Sequence, residues 1–493
     1  MLTIRDVTFT YAPRLPGEEP FQALKACSFN LLEGGSLAIM GASGAGKSTL
    51  AYVLAGLAPR YTGGSVTGMV DVAGVDVTSH PPAPGAVGLL FQDAATQLFT
   101  TSVEDEVAWG LEALSVPPRE IGPRVTEALA RFDLAGAAGR APWALSGGQQ
   151  KRLALAAVWA MQPRVLLLDE PLGGLDPEGR VEVMEAVGAL NRTGTTLLLL
   201  TLRPEVAREA SDIALLVDGR MEAPTSTAKF DAMAPRLVQL GVTCPREMWP
   251  DLSSRGSGEE RAPALEVENL HFDYPDGTQV LHGIDLSIPT GQFVAVIGRN
   301  GAGKSTLVRH FNGLLRPTVG TVRVRGQATL QRPTGVLARE VGYLFQRPEQ
   351  QLFSATVREE LAYGPVRLGL SDIPARLERT LSDFGLHDIA HLPPALLGYG
   401  LQRTVSLAAL AILETPVVIL DEPTVGLDGW GIARLMQWLA ALRRKDVTIV
   451  LVTHEIDVAR CADRVVVLDQ GSVQADGDPE ALLTSLEARA GVV

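Results

Sequence analysis

Two ten-residue stretches, GASGAGKSTL at 41–50 and GRNGAGKSTL at 298–307, set glycines, one lysine and a hydroxyl pair in the same order. Both fit G-x-x-x-x-G-K-[ST], through Gly41, Gly46, Lys47 and Ser48 in one copy and Gly298, Gly303, Lys304 and Ser305 in the other. The chemistry of that pattern is phosphate binding. Glycines let backbone N–H groups close around phosphate oxygens, a following helix N-terminus adds positive dipole, lysine reaches the outer phosphates, and the serine hydroxyl is a ligand for magnesium. Ser43, Gly44 and Thr49 complete the first candidate cradle, and Asn300, Gly301 and Thr306 the second. Lysine occurs only at positions 25, 47, 151, 229, 304 and 445, and two of these scarce residues occupy the loops. A compact ammonium suits that site better than a broad planar guanidinium.

A second repeated pattern, LLLDEP at 166–171 and VILDEP at 418–423, ends an apolar strand-like run in an acidic pair. Asp169 and Asp421 are placed for the coordination sphere of magnesium, while Glu170 and Glu422 are placed to polarise an attacking water. Gln92 and Gln346, at the end of LLFQ and YLFQ, are candidates to sense the magnesium and the γ-phosphate. Tyr11 and Tyr274 precede the loops and are candidates to stack on adenine, the alternative being packing within a strand.

These residues need elements to hold them. The paired motifs recur at offsets of 257, 254 and 252 residues, which means one duplicated domain rather than a short-period solenoid. Within each half, short apolar runs rich in β-formers (SLAIMG, FVAVIG, VLLLD, VVILD, TIVLVT) alternate with longer helical stretches, the pattern of an α/β sheet. Between the halves, PREMWPDLSSRGSGEERAPA at 245–264 has linker composition, with a span on the order of 25 Å if flexible. The expected organisation is a first domain at 1–244, a linker at 245–263 and a second domain at 264–493.

Composition narrows the class further. A chain of 493 residues is too long for one ordinary core. Its apolar runs fall far short of the roughly 20 residues that span a bilayer. The start, MLTIRDVTFTY, lacks the basic-then-apolar order of a secretory signal, so a cytosolic location is expected. Cys27, Cys244 and Cys461 are too far apart to form a ligand pair and point to reduced thiols. A net charge of −13 disfavours a primary nucleic-acid binder, because phosphate neutralisation needs clustered Lys and Arg.

Between the first phosphate loop and its acidic strand stands LSGGQQKR at 145–152, and with it the chain resembles the ABC ATPases, over nearly all of both halves. The resemblance implies two tandem P-loop (RecA-like) ABC nucleotide-binding domains of α/β class, each with an antiparallel β subdomain and a helical subdomain. It implies ATP and Mg2+ as cofactors, ATP hydrolysis, and two domains that sandwich ATP head to tail. Each site then joins one domain's phosphate loop to the other domain's signature, Ser146, Gly147, Gly148 and Gln149 in the first half. A narrower resemblance lies in FQDAATQLFTTSVEDEVAWG at 91–110 and FQRPEQQLFSATVREELAYG at 345–364. These look like the ATPases of energy-coupling factor (ECF) importers of vitamins and metal ions. That implies a transmembrane coupling protein and a small substrate-binding membrane subunit as partners, and a peripheral place on the cytoplasmic face of the membrane.

Two departures from the family pattern stand out. Set against LSGGQQKR on Arg152 and Arg403, the second stretch LLGYGLQR at 396–403 has Leu397 for Ser146, Tyr399 for Gly148 and Gly400 for Gln149. The family's switch histidine is present as His454 in LVTHEIDVAR, whereas LLTLRPEVAR has Leu202. Under head-to-tail pairing both losses fall in one site. The expected outcome is one hydrolytic site, with Glu422 and His454, and one degenerate site around Glu170. Two other assignments are weighed: the fused ATPase of an ABC sugar importer, and an ABC-F type translation factor without a membrane partner. The QLF segments favour the ECF class over the sugar importer, and the short linker and acidic charge disfavour the translation factor.

Overall fold

The computed structural model describes residues 2–13, 19–252, 261–275 and 277–490. The chain divides into two compact units, Met1–Thr243 and Cys244–Val493.

In the first unit the phosphate loop follows the strand Ser36–Met40, which lies between the parallel strands Thr196–Thr201 and Asp212–Val217. Val165–Asp169 and Val87–Leu90 extend the parallel sheet outward. Such strands are buried on both faces, so they are apolar throughout and their alternate residues serve two different cores. Leu37, Ile39, Leu167, Leu198 and Leu200 pack on one face, beneath the antiparallel strands Leu2–Tyr11, Phe21–Leu31 and Ser65–Val72. Ala38, Met40, Leu166, Leu168, Leu197 and Leu199 pack on the other, with the helices Val103–Ala113, Pro118–Arg131 and Gly147–Ala160.

The second unit repeats the plan. Its parallel sheet runs Val341–Leu344, Val417–Asp421, Thr448–Val452, Phe293–Ile297 and Arg464–Asp469, closed by the antiparallel strand Ser472–Gly477. An antiparallel sheet of Pro263–Asp273, Gln279–Pro289 and Val319–Val324 covers one side. The helices Val357–Leu368, Ile373–Phe384 and Tyr399–Ala411 join the core on the other side. The fold class is thus the expected one: two α/β domains, each with an antiparallel β part and a helical part.

The expected linker differs from an open tether at its start. Leu252 is buried in the second unit's core with Trp249 against it, and the Trp249 indole Nε1 donates to the Cys244 carbonyl at 3.2 Å. An aromatic and a leucine within a Pro-rich stretch are worth burying, which outweighs its linker composition. The strand Pro263–Asp273 likewise begins one residue before the expected boundary, and the SSRGSGEE part of the linker lies outside the described residues.

Candidate functional site

Each phosphate loop bridges the end of a buried parallel strand and the start of a helix, Lys47–Leu54 in one unit and Lys304–Phe311 in the other. The residue before each helix, Gly46 at φ 105° and Gly303 at φ 94°, is left-handed, a conformation in which a side chain is strained. Gly44 and Gly301 also have positive φ, and Ser43 and Asn300 lie in the same loops. A Cβ at Gly41 or Gly298 would collide with the carbonyl of Leu216 or Leu468. The lysine ammonium folds back on its own loop. Lys47 Nζ donates to the Gly41 and Ala42 carbonyls at 2.5 and 3.2 Å, and Lys304 Nζ to the Gly298 and Arg299 carbonyls at 2.7 and 2.9 Å.

The serines meet the aspartates. Ser48 Oγ donates to Asp169 Oδ2 at 2.5 Å and Ser305 Oγ to Asp421 Oδ1 at 3.0 Å, so strand end and helix start present a hydroxyl and a buried carboxylate side by side. Hard-cation ligands are oxygens of this kind, and the residues present fit magnesium. Burial raises both carboxyl groups above the usual range, against the lowering by the serine bonds. Asp421 is held twice, since the Tyr343 hydroxyl donates to Oδ2 at 3.0 Å.

Glu170 and Glu422 follow at φ 49° and 50°, left-handed and therefore strained for a residue with a side chain. In each, Oε1 is buried: that of Glu170 has no hydrogen-bond partner, and that of Glu422 lies 3.3 Å from His454 Nε2 without hydrogen-bond geometry. An orphaned carboxylate oxygen aimed beside a phosphate loop is what a water-polarising base requires. Burial, with added repulsion from Asp421 and Glu455, pushes Glu422 up to about 8 despite the opposing Lys304 charge. Glu170 is raised for the same first cause.

The two units differ at the next strand. His454 Nε2 lies 3.3 Å from Glu422 Oε1, 3.1 Å from Asn300 Oδ1 and 3.3 Å from Lys304 Nζ. The corresponding Leu202 packs against the apolar core, and Arg203 beside it pairs with Glu205 at 3.0 Å.

Tyr11 and Tyr274 reach the same helices. Their hydroxyls lie 3.1 Å from Thr49 Oγ1 and 3.2 Å from Thr306 Oγ1, with the rings half-buried and edge-on to Phe9 and Phe272. Gln92 and Gln346 are half-buried two residues past the strands Val87–Leu90 and Val341–Leu344, next to the acidic strands.

The signature residues open a helix. Ser146 caps the helix Gly147–Ala160: its Oγ accepts from Gln149 N at 3.3 Å, and Gln149 Oε1 accepts from Ser146 N at 3.1 Å. Gly147 and Gly148 follow in its first turn.

The helices also correct the pairing of the two signatures. Gly398 caps Tyr399–Ala411 as Ser146 caps Gly147–Ala160, and Gln150 and Gln402 make matching bonds to the Pro142 and Pro394 carbonyls at 3.1 and 3.2 Å. The offset is therefore 252, as for the acidic strands. Gly398 replaces Ser146, Tyr399 replaces Gly147, Gly400 matches Gly148, Leu401 replaces Gln149 and Arg403 replaces Lys151. The earlier pairing of Leu397 with Ser146 fails because the arginines it was pinned on do different work. The serine hydroxyl is still lost, and so is the capping glutamine. Tyr399 costs the fold nothing in itself, since a Cβ at Gly147 would meet open space.

Three kinds of residue escaped sequence reasoning. Glu106 Oε2 accepts from Phe99 N, Thr100 N and Thr100 Oγ1 at 3.0, 2.9 and 2.8 Å, and Glu360 Oε2 from Phe353 N and Ser354 N at 2.9 and 2.7 Å. These buried carboxylates fix the turns that expose Phe99 against Trp109 and Phe353 against Tyr363. Tyr343 and the buried Lys151 and Arg403 are the others. A repeat-to-repeat comparison would have flagged the glutamates, which recur at offset 254.

A model of the ABC transporter family matches residues 24–173 and 281–425, once in each unit. The chain belongs to the ABC transporter family. It is 31% identical to a protein of Caldanaerobacter subterraneus subsp. tengcongensis that carries the name ABC transporter ATP-binding protein, over 97% of this chain and 91% of that one. A Methanosarcina acetivorans protein of the same name is 33% identical over 97% of this chain and 90% of its own length. Among solved structures, cbiO1 from Clostridium perfringens, part of the ABC transporter complex cbiONQ, is 34% identical over 47% of this chain and 94% of its own, with a TM-score of 0.41. ABC domains bind and hydrolyse ATP, so this family member is an ATPase, the nucleotide subunit of a transporter that pairs with transmembrane subunits. Among the described residues no helix is long and apolar enough to cross a membrane.

Proposed function

We propose that the chain is the energy-coupling ATPase of an ECF-type importer of a vitamin or metal ion, with one hydrolytic and one degenerate ATP site. The observation that carries the asymmetry is His454 beside Glu422, against a half-buried Leu202 packed on the apolar core of the first unit. A histidine there can donate to a γ-phosphate and hold the glutamate; leucine can do neither.

In this proposal ATP binds each loop with Mg2+ held through Ser48, Asp169 and Gln92, or Ser305, Asp421 and Gln346. Held there, Mg2+ would supply neutralisation of the phosphate charge. Lys47 and Lys304 turn from their own carbonyls to the outer phosphates, and Tyr11 and Tyr274 stack on adenine. Glu422 orients the attacking water, and His454 steadies the γ-phosphate. The two units pair head to tail, so the Lys304 site receives Ser146, Gly147, Gly148 and Gln149, while the Lys47 site receives Gly398 and Tyr399, without the serine hydroxyl.

The ECF assignment rests on the segments 91–110 and 345–364. Support comes from their exposed aromatic pairs, Phe99 with Trp109 and Phe353 with Tyr363, apolar surface suited to a helix of a transmembrane partner. The chain then works at the cytoplasmic face of the membrane beside a coupling protein and a small substrate-binding subunit. Affinity capture of the tagged chain from detergent-solubilised host membranes tests this. Recovery of those two membrane subunits with a bound vitamin or metal supports it, and recovery of ribosomal proteins alone contradicts it.

A further inference from the structure

Among the described residues Arg403 is the largest fully buried side chain, and there it bonds to no carboxylate. Its guanidinium fills a cage of backbone carbonyls drawn from two separate segments. Nη1 donates to the carbonyls of Phe345 and Gln346, the latter at 3.1 Å. Nη2 donates to those of Asp421, at 2.8 Å, and Glu422, and Nε to that of Pro423 at 3.4 Å. Five N–H donors in a rigid plane can serve both segments at once.

The first unit places Lys151 at the same helix position, and the ammonium serves one segment only. Its Nζ donates to the carbonyls of Glu170 and Gly173, and Arg152 beside it pairs at the surface with Glu182 and Asp133. Both cations therefore bond the carbonyl of a glutamate held at positive φ, a strained conformation that persists only where its surroundings over-determine it. Only Arg403 also grips the segment of the glutamine.

We propose that Arg403 is a positioning residue of the second ATP site: it holds the strained backbone of Glu422 and locks it to the Gln346 segment, so that the water-polarising carboxylate and the magnesium-sensing glutamine keep one fixed geometry. The inference rests on the assignment of this site as the hydrolytic one. Lysine at 403, as at 151, can keep the Glu422 bond but cannot span both segments.

The test uses the full chain in its assembled complex, with R403K, Q346A, R403K/Q346A and E422Q. Steady-state phosphate release gives kcat, KM for ATP and the Mg2+ concentration for half-maximal rate, and thermal unfolding gives Tm. R403K is expected to keep Tm within a few degrees and KM within about twofold, to lower kcat about tenfold or more, and to raise the Mg2+ requirement, in line with the sensitivity of rate to misplaced groups. The double variant is expected to be no slower than Q346A, because the two changes remove one arrangement.

Wild-type kcat in R403K, or losses that multiply in the double variant, would overturn the proposal while an inactive E422Q leaves the site assignment standing. A fall of kcat and Tm together in R403K would reduce Arg403 to a structural residue and overturn it too. Retained turnover in E422Q would instead overturn the assignment of the hydrolytic site, and the role of Arg403 with it.

Discussion

Glu422 Oε1 and His454 Nε2 stand 3.3 Å apart at the ends of two adjacent parallel strands, both side chains more than nine-tenths buried. The pair brings together a carboxylate raised by burial and an imidazole that can donate to it or to a phosphate. The first unit offers Glu170 a neighbouring leucine in that place. If the histidine steadies the γ-phosphate, His454→Leu copies the first unit and is expected to lower ATP turnover by about 10² to 10³, the scale of losing one transition-state donor. ATP binding, followed by equilibrium titration, should change much less. Leu202→His alone is not expected to raise turnover, because under the proposed pairing the serine hydroxyl that the second signature lacks is still missing.

Burial of Glu422 also makes a pH prediction. Its carboxyl binds a proton up to about 8 in the fold but only to about 4.5 in the unfolded chain. Between those values the folded state holds the extra proton, so this group's contribution to stability falls as pH rises and levels off above 8. Glu422→Gln removes the titration. The Tm gain of E422Q over wild type, measured by calorimetry without nucleotide, should be absent near pH 4.5, grow with rising pH and flatten above 8. A gain that does not vary with pH would contradict it.

Glu106 and Glu360 make a structural prediction with a functional readout. Each buried carboxylate oxygen satisfies two backbone N–H groups of the turn before its helix. Glu360→Ala leaves those part-buried donors unpaired, at about 1.5–3 kcal/mol for bonds to a charged group. Chemical denaturation should show that loss. The Phe353–Tyr363 face should also lose definition, so capture of membrane partners is expected to fall in E360A and in F353A, with F353A keeping its stability.

The serine–aspartate contacts predict the metal requirement. Ser305→Ala removes the hydroxyl 3.0 Å from Asp421, and the Mg2+ concentration for half-maximal ATPase rate should rise at least several-fold. Ser48→Ala makes the same change beside Asp169 and should leave that concentration nearly unchanged, because turnover is assigned to the other site. Equal shifts in both variants would contradict the asymmetry.

Much of this architecture was legible in the sequence because its signals are local. Lys47 and Ser48 stand at fixed spacing in a glycine-rich loop, and Asp169 ends a run of buried leucines, so motif and element coincide. The signature of the second half misled because Arg152 and Arg403 share a residue type but not a position; only the helix caps at Ser146 and Gly398 reveal that Arg403 corresponds to Lys151. Trp249 and Leu252 escaped because composition reports the average of a segment, whereas two apolar side chains decide whether it packs. Glu106 and Arg403 were illegible for another reason. Their partners are backbone N–H and C=O groups, which every residue carries, so the recurrence of Glu106 as Glu360 marks the position without announcing the contact.

The central claim is that turnover belongs to the site built on Glu422. Steady-state phosphate release from the assembled complex, compared for wild type, Glu422→Gln and Glu170→Gln, tests it most directly. The expected result is loss of nearly all turnover in E422Q and retention of most of it in E170Q, with both variants still binding ATP. Equal losses in the two variants would contradict the claim and make the two sites functional equals.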